Sequence, residues 1–147
     1  MYEGGRISAI DLAEPGRALV FTREEEQEAQ SRMIQGSLPN GTWLYEPNAA
    51  ILKAGAYKLV GARFGLEKLD VNTHLYWSEK FISDFPGRVW QIKEKTELKQ
   101  ANVVTRNYPL TAEQLKKKLR LKDGGTEYVI GCRVQGKASL FYTERVA

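Results

Sequence analysis

The alternation of apolar and polar positions is most regular in the second half of the chain. Residues 88–94 place an apolar side chain at nearly every second position, which is typical of a half-buried strand. Apolar stretches at residues 101–108, 127–134 and 137–143 favour further strands, and Gln135-Gly136 between the last two is a turn signal. The pattern therefore predicts a sheet whose last two strands form a hairpin.

The first half contains shorter apolar runs that are separated by turn residues. These runs predict strands at residues 7–12, 17–22, 42–46 and 74–78. The first two are joined by Glu14-Pro15-Gly16, a turn sequence, and are expected to pair as a hairpin.

Two helices are predicted from capping boxes. Thr22 and Thr111 are each followed three residues later by a Glu or Gln. At this spacing the Thr side chain can accept the N–H of the Glu or Gln, and the Glu or Gln side chain can accept the N–H of the Thr. Helices are therefore expected over residues 23–35 and 112–120. The first has few apolar residues and is expected at the periphery, whereas the second has one apolar face.

A third helix is predicted over residues 49–64. Asn48 is a favourable N-cap, and Gly65 is a favourable residue at which to end a helix. The apolar positions surround most of this helix, which indicates burial on more than one side. Residues 81–85 are expected to form a short helical turn before Pro86.

Together these elements predict an α+β fold, with helices packed on mainly antiparallel sheets. The charge is unevenly distributed, since residues 1–85 carry a net charge of −3 and residues 86–147 a net charge of +7. We divide the chain at Pro86 into residues 1–85 and residues 86–147, and the length is compatible with one compact domain or with two very small subdomains that share a core. The asymmetry indicates a polyanionic partner for the second subdomain.

Composition excludes several other classes of protein. The chain has 147 residues, of which 42% are hydrophobic and 27% charged, and this excludes collagen-like, disordered and coiled-coil chains. No apolar run reaches the roughly 20 residues that a membrane span requires, and the first residues lack the pattern of a signal peptide. Cys132 is the single cysteine, so no intrachain disulfide is expected and a reducing cytoplasm is the natural compartment.

The basic residues of the second subdomain are the main candidates for contact with a nucleic acid. Distributed cations neutralise backbone phosphates and release counterions, although a solvated lysine-rich surface has the same composition. Four aromatic residues of the predicted strands either stack on unpaired bases or fill the core, namely Tyr108, Tyr128, Phe141 and Tyr142. The candidate RNA-binding residues are Lys93, Arg106, Lys116, Lys117, Lys118, Arg120, Lys122 and Arg133.

A second group of candidates lies where a predicted strand leads into a predicted helix. Tyr45, Glu46 and Asn48 occupy this position, and Lys53 lies on the helix that follows. A helix start can hold an anion or a catalytic acid, but helix capping is the simpler interpretation. We retain these four residues as candidates for contact with another domain or with a substrate.

Other chemistry-bearing residues do not form a recognisable site. His74 is the only histidine and has no metal ligand at a suitable spacing. Cys132 lies in a predicted strand, where it is expected to be a small core residue. The sequence has no glycine-rich nucleotide loop after a strand and no HExxH helix. No metal, cofactor or catalytic residue is therefore assigned to this chain.

Four stretches of the sequence are similar to a known arrangement of domains. Residues 44–57, 84–88, 106–110 and 119–125 resemble the C-terminal part of a bacterial family of class I S-adenosylmethionine-dependent methyltransferases of the Bacteroidetes type. In that family a methyltransferase domain precedes a ferredoxin-like domain and a THUMP-like domain. The resemblance implies that residues 1–85 are ferredoxin-like and that residues 86–147 are THUMP-like.

The resemblance also implies a function. THUMP-type domains accompany RNA-modifying enzymes, so this chain is expected to bind structured RNA, such as tRNA or rRNA, and to present it to a methyltransferase domain upstream. S-adenosylmethionine is then the cofactor of that domain, because this chain lacks the cofactor loop. The alternative is a docking or oligomerisation module that supports the methyltransferase domain without contacting RNA.

Overall fold

The computed structural model describes residues 2–3, 5–10 and 18–147, with side chains from residue 5 onward within those ranges. The predicted turn at residues 14–16 lies outside the described residues, as do residues 11–12 and 17 of the two flanking strands.

The described residues form eleven strands and four helices. The strands are β1 (Tyr2–Glu3), β2 (Arg6–Ala9), β3 (Leu19–Thr22), β4 (Arg32–Met33), β5 (Trp43–Pro47), β6 (Glu67–Asp70), β7 (Thr73–Ser78), β8 (Gly87–Lys93), β9 (Asn102–Arg106), β10 (Glu127–Val134) and β11 (Lys137–Arg145). The helices are α1 (Arg23–Glu28), α2 (Ala49–Ala54), α3 (Tyr57–Phe64) and α4 (Ala112–Leu119).

The strands form a small sheet and a large one. The small sheet has the order β1-β2-β3, and the large sheet has the order β4-β6-β7-β5-β8-β11-β10-β9. In the large sheet the β4–β6 and β9–β10 pairs are parallel and the remaining pairs are antiparallel. The mixed α+β class and the mainly antiparallel pairing predicted from the sequence are therefore confirmed.

The large sheet is curled, because groups from strands far apart in its order bond to each other. The backbone N–H of Gln135, in the β10–β11 turn, donates to the carbonyl of Leu69 on β6 at 3.0 Å. The hydroxyl of Thr73 on β7 donates to the carbonyl of Arg133 on β10 at 2.8 Å. The concave face encloses one buried cluster, which includes Leu44, Leu75, Trp90, Ile92 and Ile130.

The outer face of the same sheet is covered by helices. Tyr45 and Val89 pack there in a buried cluster with Ile51 of α2 and Val60 of α3. At the other half of the sheet, Leu115 of α4 packs in a third buried cluster that includes Val129. Burial of this apolar surface is the main favourable contribution to folding.

Several local predictions are confirmed. Both capping boxes are present, since Thr22 caps α1 together with Glu25 and Thr111 caps α4 together with Gln114. The hairpin of β10 and β11 turns at Gln135 and Gly136, whose φ values are +49° and +80°. Positive φ at both central residues is what the twist of a two-residue hairpin requires.

Two predicted helices differ from the observed ones. The helix expected over residues 23–35 ends at Glu28, because its thin apolar content gives little to bury; Arg32–Met33 instead joins β6 in parallel. The helix expected over residues 49–64 is divided at Gly55, whose φ of +76° ends α2 in the left-handed region. α3 then starts afresh at Tyr57.

The connections also differ from prediction in two places. Residues 66–73, which follow the predicted helix and in which the sequence pattern predicts no strand or helix, contain strand β6, whose Leu69 is fully buried against the concave core. Residues 81–85, expected to form a short helical turn, instead contain a turn at residues 83–84 and no helix.

Candidate nucleic-acid interface and domain junction

Exposed cations surround the C-terminal end of α4. Leu115 of this helix is buried against the outer face of the sheet, so the opposite side of the helix, with Lys117 and Lys118, faces solvent. Arg120 ends the helix in the left-handed conformation, with φ of +57°, and its N–H bonds to the carbonyls of the last turn. Arg120 and the nearby Lys122 are also exposed.

A fifth exposed cation is brought to this region by the tertiary structure. The backbone N–H of Lys122 donates to the carbonyl of Lys99 at 3.0 Å, which places the two residues side by side. We call Lys99, Lys117, Lys118, Arg120 and Lys122 the α4 patch. Part of its charge also stabilises the helix, because cations are favourable near the negative end of a helix dipole.

Lys116 differs from its neighbours in the predicted basic run. Its ammonium group donates to the carboxylates of Asp123 at 2.9 Å and Glu113 at 3.2 Å. These hydrogen bonds raise the pKa of Lys116. The side chain therefore joins the helix to the turn that follows it, and its charge is already shared with two carboxylates.

Three further candidates of the predicted RNA-binding set lie on the sheet. In the sheet register, Lys93 is opposite Tyr142, which is itself opposite Val129. Val129, Gly131 and Arg133 occupy alternate positions of β10, so Arg133 lies on the same face as Val129. Lys93 and Arg133 therefore share the outer face with α4. Arg106 lies on the concave face, so the sheet separates it from the α4 patch.

The predicted stacking aromatics are largely used by the core. The Tyr108 ring lies over Gly131, where an added Cβ would be only 3.0 Å from the ring. Tyr128 packs at 5.9 Å from the buried Trp90. The rings of Tyr142 and Phe141 are partly exposed, and the Lys95 ammonium lies 5.9 Å from the Tyr142 centroid.

Glu46 connects the two predicted subdomains. Its side chain is only 8% exposed and accepts hydrogen bonds from Arg88 at 2.6 Å and from Arg106 Nε at 2.5 Å. Burial acts to raise the pKa of Glu46, but the hydrogen bonds and charges of Arg106 and Arg88 outweigh it and hold that pKa below its usual value. The carboxylate is therefore ionised and paired with two cations.

The curl of the sheet makes this arrangement possible. Glu46 and Arg88 are direct neighbours in the β5–β8 register, but three strands separate β5 from Arg106 on β9. The Arg88 guanidinium also lies 4.9 Å from the ring of Trp90, a distance at which cation–π attraction is favourable.

The other residues of that strand-to-helix segment have local roles. The Tyr45 hydroxyl donates to the carbonyl of Lys80 at 2.8 Å, and its ring packs in the core. Asn48 caps α2 by accepting the N–H of Ile51 at 3.0 Å. Lys53 is exposed in the last turn of α2. Of the four candidates, Glu46 makes the ion-paired contact between subdomains, while the Asn48 N–H donates to the carbonyl of Pro86 at 3.0 Å and Tyr45 packs with Val89.

Sequence reasoning missed a group of charged and aromatic side chains between α3 and strands β6 and β7. His74 stacks on Tyr57 with ring centroids 3.9 Å apart, and the ammonium of Lys68 lies 5.7 Å from the Tyr57 ring. Lys68 is buried and donates to the carbonyl of Val71 at 2.6 Å. Burial lowers the pKa of both Lys68 and His74. No local sequence signal could reveal this group, because its members lie on separate elements.

Metal-ligand clusters and membrane-spanning helices are both absent from the described part of the chain. Its histidine, cysteine and acidic side chains do not gather into a group of three or more that could hold a metal ion. None of its helices has the length and apolar character needed to span a bilayer.

Comparison with known families divides the chain into two regions. Residues 43–86 match a family described as a ferredoxin-like domain, and residues 85–145 match a family described as THUMP domain-like. A ferredoxin-like domain is therefore followed by a THUMP-like domain, in the predicted order. The boundary between residues 85 and 86 stays a prediction.

One solved structure is similar over nearly the whole chain. It is the crystal structure of a "putative methyltransferase from Porphyromonas gingivalis W83", with 33% sequence identity and a TM-score of 0.86. The similarity covers 97% of this chain and 38% of that chain, so this chain spans well under half the length of that protein. A search of curated proteins gave no match.

Proposed function

We propose that this chain is the RNA-binding accessory region of a methyltransferase whose catalytic domain lies outside the chain. The observation that carries the proposal is the α4 patch, five exposed cations on the THUMP-like region. The similarity to part of a longer methyltransferase-like protein supports the link to a catalytic domain. The proposed ligand is a structured RNA of the tRNA or rRNA kind.

The catalytic step is assigned to the domain outside this chain. S-adenosylmethionine would supply the methyl group there, because this sequence has no glycine-rich loop between a strand and a helix to hold a nucleotide-like cofactor. The residues of this chain contribute binding and orientation of the RNA. In the proposed arrangement the protein works in the cytoplasm.

The α4 patch suits a phosphate backbone better than an isolated anion. Its cations are spread along a helix end and an adjoining loop, so they can reach several phosphates in succession. Each neutralised phosphate releases condensed counterions, which makes the affinity fall steeply with salt. If these cations only stabilised the helix, the affinity for RNA would not fall steeply with salt concentration.

The test is a pair of charge-matched double variants. Lys117→Gln with Lys118→Gln should weaken binding of a transfer RNA transcript by roughly three- to tenfold and reduce the salt slope by about 1 to 2. Lys53→Gln with Lys80→Gln removes the same charge from exposed positions in the ferredoxin-like region and should have little effect. Fluorescence anisotropy at several salt concentrations measures both quantities, and circular dichroism checks the fold. Equal losses in the two double variants would contradict a role for the α4 patch.

The second candidate function, docking without RNA contact, is favoured by apolar side chains on the first part of the chain. Ile10, Val20 and Phe81 are 43%, 44% and 41% exposed, and Phe81 stacks on Trp43 at 5.9 Å. Self-association in sedimentation velocity, together with the absence of RNA binding at low salt, would support docking over the proposed function.

A further inference from the structure

A cavity lies between the loop after β4 and the hairpin of β10 and β11. Its volume is about 540 Å³, and Leu38 and Ser37 of the loop face Val134 and Phe141 of the hairpin across it. This volume is within the range of roughly 300–1,000 Å³ that is typical of small-molecule sites. The cavity is separate from the α4 patch, because the hairpin side chains that line it lie on the concave face of the sheet.

The walls of the cavity are mainly apolar and offer one aromatic face. Val134 and Lys137 are paired in the hairpin register, as are Ile130 and Phe141, so Val134, Lys137 and Phe141 share one face of the hairpin. Phe141 and Leu38 are only partly buried. A flat ring that entered the cavity would therefore contact Phe141 and aliphatic side chains, which are the contacts that unpaired bases favour.

The polar groups of the cavity include two hydrogen-bond acceptors on the hairpin side. One N–H of the Gln135 amide donates to the carbonyl of Ile34 at 2.9 Å, so the amide oxygen remains as an acceptor and the second N–H remains as a donor. The Ser139 hydroxyl donates to the carbonyl of Lys137 at 3.1 Å, which leaves its oxygen lone pairs. The Gln135 and Ser139 side chains both line the hairpin side of the cavity, where each oxygen can accept an N–H bond from a base, and the exposed Lys137 ammonium on the same side is complementary to a phosphate.

The hairpin side of the cavity is fixed in place. Gln135 adopts a φ of +49°, which is uncommon for a residue with a side chain, and its N–H donates to Leu69 on β6. The N–H of Gly136 donates to the Asp70 carboxylate at 2.7 Å. A rigid site loses little conformational entropy when it binds a ligand.

We propose that this hairpin pocket binds one unpaired base of the RNA and favours bases that carry an exocyclic amino group. The base stacks on Phe141, its amino group donates to Gln135 and Ser139, and its phosphate lies near Lys137. The inference rests on the proposed function, since it assumes that RNA is the ligand. Adenine, cytosine and guanine each present an amino group with two N–H bonds, whereas uracil has none.

The first test compares two RNAs that differ by one amino group. A stem-loop with a single unpaired adenosine is compared with the same stem-loop carrying purine riboside at that position. The adenosine form should bind about three- to tenfold more tightly, the usual effect of a hydrogen bond to a bound group. Ser139→Ala should reduce this preference, and equal affinity of the two RNAs would overturn the proposed selectivity.

The second test removes the stacking surface. Phe141→Leu should weaken binding of the adenosine stem-loop by roughly tenfold and leave binding of a blunt duplex unchanged. Phe81→Leu is the matched control, because Phe81 is an exposed phenylalanine of the ferredoxin-like region. Thermal unfolding of each variant separates loss of the site from loss of the fold.

The outcomes separate this inference from the proposed function. If Phe141→Leu and Ser139→Ala leave RNA affinity unchanged while the Lys117→Gln, Lys118→Gln variant weakens it, the pocket inference is wrong and RNA binding by the α4 patch stands. If the unmodified chain binds neither stem-loop nor transfer RNA at low salt, the proposed function fails, and the pocket inference with it.

Discussion

Glu46 joins the two family-matched regions through a buried ion pair. Its carboxylate is buried between Arg88 and Arg106. The two guanidinium groups and the one carboxylate together carry a net charge of +1. A buried carboxylate is unfavourable unless it is paired and hydrogen-bonded, and this one has both. A residue that could have been a catalytic acid is therefore held ionised, in a position that joins strands of both regions.

His74 is a second single residue whose environment gives a prediction, in this case for the pH dependence of stability. Burial and the charge of Lys68 lower its pKa in the folded protein, so the folded state keeps the ring neutral while the unfolded state protonates it near the usual value of about 6.5. Unfolded chains then bind more protons as the pH falls below that value. The free energy of unfolding should therefore decrease from pH 7.5 to pH 5.5.

Urea unfolding at the two pH values measures this change. His74→Gln should show a smaller decrease than the parent protein, because the titrating ring is absent. Lys68 and Tyr57 remain in place in that variant, so an unchanged decrease would mean that another group is responsible.

Among the elements, α3 depends on a cap supplied by a different helix. Ala56, at its N-cap, makes no side-chain hydrogen bond. The Glu26 carboxylate of α1 instead accepts the N–H groups of Lys58 at 3.1 Å and Leu59 at 2.9 Å. The poorly apolar α1 is thus held by its polar contacts to α3 rather than by burial of a hydrophobic face.

Glu26→Ala should destabilise the protein by about 1 to 2 kcal/mol, because two N–H groups at the start of α3 lose their acceptor. Glu24→Ala changes an exposed glutamate of the same helix and should cost no more than about 0.5 kcal/mol. Chemical unfolding of both variants gives the comparison. Similar losses would show that the contact to α3 contributes nothing beyond the helix propensity of α1.

For the molecule as a whole, the ferredoxin-like and THUMP-like regions share one sheet. β5 of the ferredoxin-like region pairs with β8 of the THUMP-like region, from Trp43 opposite Gln91 to Pro47 opposite Gly87. The hydrogen bonding of the sheet is therefore continuous across the boundary between the two regions near residue 85. The large sheet therefore places the α4 patch and the hairpin pocket on one continuous framework, on its outer and concave sides.

A substitution at Gly87, which lies in the β5–β8 pairing, tests whether the continuous sheet stabilises both regions. A Cβ at this position would collide with the backbone carbonyl of Glu46, so Gly87→Ala should destabilise the protein by about 3 kcal/mol. Gly61→Ala is the control, since a Cβ there meets its nearest neighbour at 3.4 Å and alanine favours the helix. It should change the stability by about 1 kcal/mol or less.

The unfolding of the parent protein is part of the same test. Tryptophan fluorescence and far-ultraviolet circular dichroism should give coincident transitions, because separation of the regions would break the β5–β8 pairing. Two separate transitions, with only one of them shifted by Gly87→Ala, would contradict the shared framework.

Local signals in the sequence determined much of the secondary structure. The capping boxes at Thr22 and Thr111 gave the starts of α1 and α4, because these contacts join residues only three apart. Alternating polarity gave β8, and apolar stretches on either side of a turn signal gave β10 and β11, because these patterns also involve only neighbouring positions. The α+β class followed from those elements, and the order of the two regions was implied by the family resemblance.

Tertiary structure decided the candidate sites. The basic run at Lys116–Lys118 was visible in the sequence, but only the fold brings Lys99 beside it, pairs Lys116 with Asp123 and turns Arg106 to the other face. The hairpin pocket depends on the contact of Gln135 with Ile34, which is 101 positions away along the chain. Charge and polarity are properties of single residues and can be read in order, whereas proximity across a curled sheet depends on the packing of all its strands at once.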